Sequence, residues 1–351
     1  MNMLTHEGRY AEQLSSDDLL QMYWHMLLSR RTDERAWVLH RQGKIPFHIS
    51  SIGHEALQIG AAFAINRGID YSYPYYRDLA FVLTCGYTPL DFMLGLFGKE
   101  GEPSSGARQM PSHWSRKNLN IVTQSSVVAT QVPHAAGSAF AIKYRISQGL
   151  QSGDDDTQPR LAICSLGEGS TTQGEWHEGL NWAGVHQLPF ICIVENNNYA
   201  ISVPYEKQAA MSVAQRAEAY GVKGVQVDGT DPIKMYEVMK EAVERAYSGE
   251  GPTCIEAKCH RLVPHSSDDD DRTYRSKEEL QAIKQFDPVP NFRNRLMEEG
   301  ILTEELENEY EDKAKQIVNE AHRTAEDAPY PDPAEHLSFS HNFAPDSRGD
   351  F

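Results

Sequence analysis

Residues 161–199, LAICSLGEGSTTQGEWHEGLNWAGVHQLPFICIVENNNY, decide the fold. An apolar run of strand length, LAICSL, ends at Gly167-Glu168-Gly169. A segment of helical character follows from about Glu175 to His186, and a second apolar run, FICIV, ends at Glu195 and the three amides Asn196, Asn197 and Asn198. Two buried strands joined by a helix make a parallel strand–helix–strand unit. Such units are right-handed, so both strands leave the sheet at one edge, where open parallel sheets bind ligands. Glu168 and Asn197 are therefore expected to converge across the crevice. Gly167 and Gly169 permit unusual dihedrals and close approach by a ligand. Ser170, Thr171 and Thr172 offer hydroxyls and free N–H groups at a helix start, an arrangement that suits an anion. One carboxylate and one amide oxygen beside an anion form a hard oxygen set suited to Mg²⁺. The plainer alternative is an Asn-rich turn with an acidic helix cap.

Outward from this unit the same alternation continues. GVQVDG and TCIEAKC read as strands on either side of a helix, IKMYEVMKEAVERAYSG. Apolar strands alternating with helices imply an α/β fold, a mostly parallel sheet with helices on both faces. Upstream, helical spacing runs from Ser16 to about Gln42, with Ser15 or Ser16 as cap and Asp17 and Asp18 suited to the helix dipole. GHEALQIGAAFAIN, PLDFMLGLF and TQVPHAAGSAFAIKYRIS are further helices, the last rich in small residues that allow close packing. QSGDDDTQP reads as a surface loop. Residues 277–328 read as helical and highly charged, ending in the Pro-rich PYPDPAEH. The expected organisation is a helical N-terminal extension over 1–50, an α/β domain over 51–276, and a helical region and tail over 277–351.

Composition narrows the function classes. With 351 residues, 40% of them hydrophobic, the chain has ample core. A formal net charge of −17 disfavours nucleic acid and anionic membrane as partners, and no apolar run approaches the ~18 to 20 residues of a membrane helix. The opening MNMLTHEGRYAEQ has neither a basic flank ahead of an apolar run nor an Arg-rich character. A cytoplasmic location is expected, or the mitochondrial matrix for a processed chain. Cys85, Cys164, Cys192, Cys254 and Cys259 follow no metal spacing and read as reduced structural thiols. There is no GxGxxG opening a helix and no P-loop, which disfavours a nucleotide-binding Rossmann protein.

Gly-Glu-Gly, 26 intervening residues (170 to 195) and then Asn-Asn resembles the thiamine diphosphate motif. YYRDLA, GARQMPSHW, SSVVATQVPHAAG, GEGSTTQGEWHEG, ENNNYAISVP and PHSSDDDDRTYRS then follow the order seen in α subunits of 2-oxo acid dehydrogenases, over roughly residues 15 to 330. GARQMP and PHSSDDDDRTYR look most like the branched-chain members, particularly bacterial ones; pyruvate and acetoin dehydrogenase α subunits differ more there.

The resemblance implies the thiamine diphosphate-binding fold and a set of residue roles. Glu168, Asn197 and the Tyr199 carbonyl would hold Mg²⁺. Tyr76, Arg77, Ser126, Val128, Gly167, Gly169, Ser170 and His265 would contact the cofactor. Arginine suits a phosphate because its planar fork binds two oxygens at once. Ser125, Val127, Thr130 and Gln131 resemble a K⁺-binding loop. Phe47, Tyr76, Met110, His113 and Ser126 match positions lining the substrate pocket, and an aromatic with a thioether suits a branched aliphatic chain; Phe47 and Met110 also read as core residues. His265 is the candidate catalytic residue, a neutral imidazole placed for proton work in acyl transfer.

Some positions depart from the pattern or add nothing to it. Glu168 stands where Asp is commoner, and Pro264 replaces a second histidine carried by many relatives. Glu195 stands where some relatives have Arg and others Glu. Ser266 occupies the position phosphorylated in animal enzymes, and the sequence contains no sign of a kinase. Asp268 to Asp271 reads as a solvated acidic loop. Glu55 is the nearest candidate for the carboxylate that activates the pyrimidine, but the family places that group on a separate β subunit. The implied activity is oxidative decarboxylation of a branched-chain 2-oxo acid with acyl transfer to lipoamide. The implied partners are a β subunit in an α2β2 assembly and a lipoylated acyltransferase core.

Overall fold

The computed structural model describes residues 9–150 and 158–334. Most of the expected loop over 151–159 and most of the C-terminal tail lie outside them. In chain order the elements are α1 (Ser16–Arg41), α2 (Glu55–Ala64), β1 (Tyr71–Tyr73), α3 (Leu79–Thr84), α4 (Pro89–Phe97) and α5 (Gln131–Ser147). There follow β2 (Ala162–Gly167), α6 (Gly174–His186), β3 (Phe190–Asn196), the short strands β4 (Tyr199–Ala200) and β5 (Val203–Pro204), and α7 (Val213–Glu218). The chain continues through β6 (Lys223–Asp228), α8 (Pro232–Tyr247), β7 (Thr253–Lys258), α9 (Lys277–Ala282), α10 (Pro288–Glu298) and α11 (Glu304–Asp327). Among the described residues no helix is long and apolar enough to cross a membrane.

β1, β2, β3, β7 and β6 form one sheet in that order, and every pairing is parallel. The period-2 alternation of a strand sends neighbouring residues to opposite faces. Ile163, Ile191, Ile193 and Ile255 join a core with α1, α2, α8, α10 and α11, whereas Ala162, Cys164, Leu166, Phe190, Cys192 and Val194 join another with α5, α6 and α7. Both faces are thus covered, and β3, in the middle, is buried along its whole length. All five cysteines are buried and free, and Cys164, Cys192 and Cys254 stand in register on three adjacent strands.

Local chemistry sets the helix ends. Ser15 Oγ accepts from Asp18 N at 3.1 Å, and Asp18 Oδ2 accepts from Ser15 N at 2.9 Å, a reciprocal cap contributing about 1 kcal/mol to α1. α2 and α8 touch backbone to backbone at Gly60, where a Cβ would lie 2.4 Å from the Pro232 carbonyl. Residues 277–328, expected to be helical with one long amphipathic helix from about Leu302, form three helices, the last of them α11. Asp287 caps Val289 N at 3.2 Å with Pro288 opening α10, and Gly300 turns the chain at φ +69° before α11.

Arg30 in α1 ties these parts together. Its Nε donates to Glu55 at 2.7 Å, while Nη1 and Nη2 grip Asp287 at 3.0 and 2.8 Å.

Candidate active site

β2 and β3 pair in register up to Gly167 opposite Glu195, so both chains leave the sheet together. Glu168 opens a single 3-10 turn, Glu168–Thr172, and Asn197 follows β3 directly. Asn197 N donates to Glu168 Oε2 at 3.3 Å, as the strand–helix–strand geometry anticipated. The other oxygen, Glu168 Oε1, is buried with no protein partner. Burial also raises the Glu168 carboxyl above its ordinary range. A buried, unsatisfied carboxylate oxygen is costly, and a hard cation is the partner that would offset the cost. Asn197 Oδ1 accepts from Tyr199 N at 3.2 Å, which folds the chain so that the Tyr199 backbone lies beside it. One carboxylate, one amide oxygen and one carbonyl fit Mg²⁺. This set falls outside the usual clusters of three His, Cys, Asp or Glu side chains, which do not occur among the described residues.

The three asparagines differ in use. Asn196 Oδ1 accepts from Asn198 N at 3.0 Å and its Nδ2 donates to Glu256 at 2.7 Å, closing the strand end. Asn198 takes the left-handed turn at φ +71°.

The hydroxyl run after the glycines needs correcting. α6 begins only at Gly174. Thr171 Oγ1 donates to the Glu168 carbonyl at 2.7 Å and Thr172 Oγ1 to the Gly169 carbonyl at 2.8 Å, so both are spent on the turn itself. Ser170 alone of the three lines the cavity.

That cavity measures about 390 Å³. Its lining brings together Phe47, Tyr76, Arg77, Met110, His113, Ser126, Val128, Gly167, Gly169, Ser170, Asn197, Tyr199 and His265, all singled out from the sequence. Glu168 sits behind this lining. Sequence reasoning missed Ile49, Tyr75, Pro111, Ala200 and Ile201, which complete the wall. The lining contains no acidic residue. Glu55 is buried in its pair with Arg30 and accepts from Gly53 N at 2.7 Å, so it is a structural carboxylate.

Arg77 is buried, and none of its hydrogen bonds reaches a carboxylate: Nη1 takes the Ser50 carbonyl and Nη2 lies 3.4 Å from His265 Nδ1 and O. Its Nε has no partner. Arg261, absent from the sequence reading, gives Nη2 to the Ile201 carbonyl and the Tyr274 hydroxyl, both at 2.8 Å, and leaves Nε and Nη1 buried and unpartnered. Two desolvated guanidiniums with spare donors beside one pocket fit an anionic group such as a diphosphate. Burial, then Arg77 and Arg261, pushes the His265 imidazole down to about 3, so the ring is neutral. Its edge meets the Tyr76 ring with centroids 6.4 Å apart.

The acidic run after His265 also departs from expectation. Asp269 Oδ2 accepts from His265 N at 2.8 Å and from the Tyr274 hydroxyl, and buried Asp271 lies 3.6 Å from Arg275. Only Asp268 and Asp270 face solvent as expected. Glu195, uninformative as a letter, is buried against Asp78 and receives Gln58 Nε2 at 3.1 Å and the Tyr75 hydroxyl at 3.2 Å. Burial and the adjacent Asp78 carboxyl push its pKa well above the ordinary carboxylate value.

Ser125, Val127, Thr130 and Gln131 fall in one turn. Val127 N donates to Ser125 Oγ at 3.1 Å and Thr130 Oγ1 to the Val127 carbonyl at 2.8 Å, while Gln131 Oε1 is buried without a partner. His113 Nε2 lies 2.7 Å from Ser126 Oγ, and its Nδ1 is 2.9 Å from the Met110 carbonyl, which accepts only and so fixes the proton on Nδ1.

Residues 23–334 match the family described as Dehydrogenase E1 component. The chain is 49% identical to 2-oxoisovalerate dehydrogenase subunit alpha of Bacillus subtilis (strain 168), over 93% of this chain and 96% of that protein. It is 36% identical to 3-methyl-2-oxobutanoate dehydrogenase subunit alpha of Mycobacterium tuberculosis, over 93% and 83%. To the pyruvate dehydrogenase E1 component subunit alpha of Bacillus cereus it is also 36% identical, over 90% and 80%. A match across nearly the whole described chain, on a site whose parts converge as the motif spacing requires, makes this protein a member of the dehydrogenase E1 component family.

Proposed function

We propose that this chain is the α subunit of the decarboxylating component of a branched-chain 2-oxo acid dehydrogenase complex, using thiamine diphosphate and Mg²⁺. The observation that carries the reading lies at and just behind the floor of the cavity: the unpartnered Glu168 Oε1 buried behind Asn197, with Arg77 and its spare donor in the lining. When bound, the cofactor supplies the carbon nucleophile and the sink for the electron pair left as carbon dioxide departs. Glu168, Asn197 and the Tyr199 carbonyl would hold the cation; Arg77, Tyr76, Ser170 and the Gly167 and Gly169 backbone would hold the diphosphate, with Ser126 and Val128 at the other end. His265, neutral and walled in by cations, can accept or return a proton during acyl transfer to lipoamide without carrying charge into the pocket. Ser125, Val127, Thr130 and Gln131 extend the reading to a K⁺ that would stiffen their turn.

Substrate choice rests on Phe47, Met110 and Tyr76, with Ile49 beside them, a wall that favours a branched aliphatic chain through apolar burial. His113 and Ser126 offer polar contacts to the 2-oxo acid head. The higher identity to the relative named for 2-oxoisovalerate than to those named for pyruvate supports the same choice.

A partner is part of the reading. The cavity has no acidic lining residue to activate the pyrimidine, so that carboxylate belongs to a β subunit in an α2β2 assembly. The outer faces of α5 and α6 expose Phe140, Tyr144, Trp182 and Val185, an aromatic and aliphatic patch suited to a protein partner. The assembly would act in the cytoplasm, docked on a lipoylated acyltransferase. The test is decarboxylation with 3-methyl-2-oxobutanoate and with pyruvate. The chain with thiamine diphosphate and Mg²⁺ should be inactive until the β subunit is added, and then prefer the branched substrate. Full turnover by the chain alone, or a preference for pyruvate, overturns the corresponding part.

A further inference from the structure

We infer that Arg216, remote from the cavity lining, is a positioning residue that sets the cation- and diphosphate-binding turn from behind. The inference rests on the functional reading above for the identity of the ligand. Arg216 lies in α7 and reaches back to a single residue of the turn: Nη1 donates to Thr171 Oγ1 at 2.9 Å and Nη2 to the Thr171 carbonyl at 2.5 Å. Thr171 is fully buried, and its hydroxyl passes the connection on by donating to the Glu168 carbonyl at 2.7 Å. One guanidinium thus grips, through one threonine, the backbone of the residue whose carboxylate faces the cation site.

The grip is directional. The guanidinium lies over the Trp176 indole, 4.7 Å from its centroid, and that ring is itself buried in α6. Both hydrogen bonds to the turn go to neutral oxygens, so the fork is used for placement rather than for neutralising a carboxylate. On the pocket side the same turn is clamped at Gly169, where a Cβ would sit 2.5 Å from the Ala200 Cβ. Ser170, which faces the cavity, is held between these two fixed neighbours. Lysine at 216 would keep the charge but could not present two donors in one plane, and the turn would lose its rear anchor.

The test uses R216K and T171V in the α chain assembled with its β subunit. Thiamine diphosphate is titrated calorimetrically at fixed Mg²⁺, and Tm is recorded without cofactor. R216K is expected to weaken cofactor affinity about 10- to 100-fold, the usual range for residues that orient ligands from behind. T171V, which removes only the hydroxyl, should give a smaller loss in the same direction. Cofactor-free Tm should change little, and at saturating cofactor the KM for the 2-oxo acid should stay within about twofold. Wild-type cofactor affinity in R216K, or an affinity loss matched by an equivalent fall in cofactor-free Tm, overturns the inference and leaves the functional reading standing. A wild-type assembly that takes up no thiamine diphosphate overturns both. If R216K does not fold, T171V decides by the same criteria.

Discussion

The floor of the cavity and its mouth are built on different terms. At the floor, Glu168, Asn197 and Arg77 are 1%, 5% and 2% exposed, each set by backbone hydrogen bonds or packing from β2, β3 and the segment after β1. At the mouth, Met110 and Ile201 are each 55% exposed, and elsewhere the apolar outer face of α5 and α6 is also uncovered. The floor is built within this one chain: desolvated and polar, with Arg77 Nε buried and unpartnered and, just behind it, Glu168 Oε1 likewise. The mouth is apolar and uncovered, a surface that a second polypeptide would complete.

The largest effect expected from disturbing this contrast comes from the floor. Asn197→Ala removes the amide oxygen assigned above to the proposed cation and should lower Mg²⁺-dependent affinity for thiamine diphosphate by about 100-fold or more, read by calorimetry. Unchanged affinity would move the metal elsewhere. Away from the cavity, Val185→Lys places a charge in the exposed outer face of α6. It should weaken association with the β subunit by about 2 kcal/mol, roughly 30-fold, in sedimentation experiments, with the Tm of the chain alone unaltered. Equal association would show that some other face meets the partner.

A third effect is a pH dependence at the boundary between the two regions. His265 titrates near 3 in the folded chain and near 6.5 when unfolded. Between those values the unfolded chain binds the extra proton, so this group's contribution is present above about pH 6.5 and lost as pH falls toward 3. His265→Asn should flatten part of the acid limb of a Tm–pH curve; other depressed groups, among them His25, His54, Asp33 and Asp269, carry the rest. An unchanged limb would mean that the ring is already protonated in the folded chain.

How much of this was legible depends on whether a role is carried by local pattern or by assembly. The glycine–glutamate turn and Asn197 were readable because two apolar strands of ordinary length fix both ends of the motif. β1, three residues long, has too few alternations to register as a strand, although it positions Tyr75, Tyr76 and Arg77. Arg216 and Arg261 act through side chains that cross from other elements, and no spacing rule connects Arg216 to Thr171 or Arg261 to Arg77. Glu195 was visible as a letter but not as a buried acid with a raised pKa, since its surroundings are set by Asp78, Gln58 and Tyr75. The threonines after Gly169 misled for the reverse reason: their hydroxyls are close enough to the backbone to be used up locally.

Arg30 has a consequence for the order in which the molecule is made. A guanidinium does not shed its proton, so its burial between Glu55 and Asp287 requires both acids. Glu55 leaves the ribosome soon after Arg30, but Asp287 follows 257 residues behind it. α1 therefore cannot settle fully until the chain has been made through Asp287, and the growing polypeptide spends that interval with one face of α1 still open.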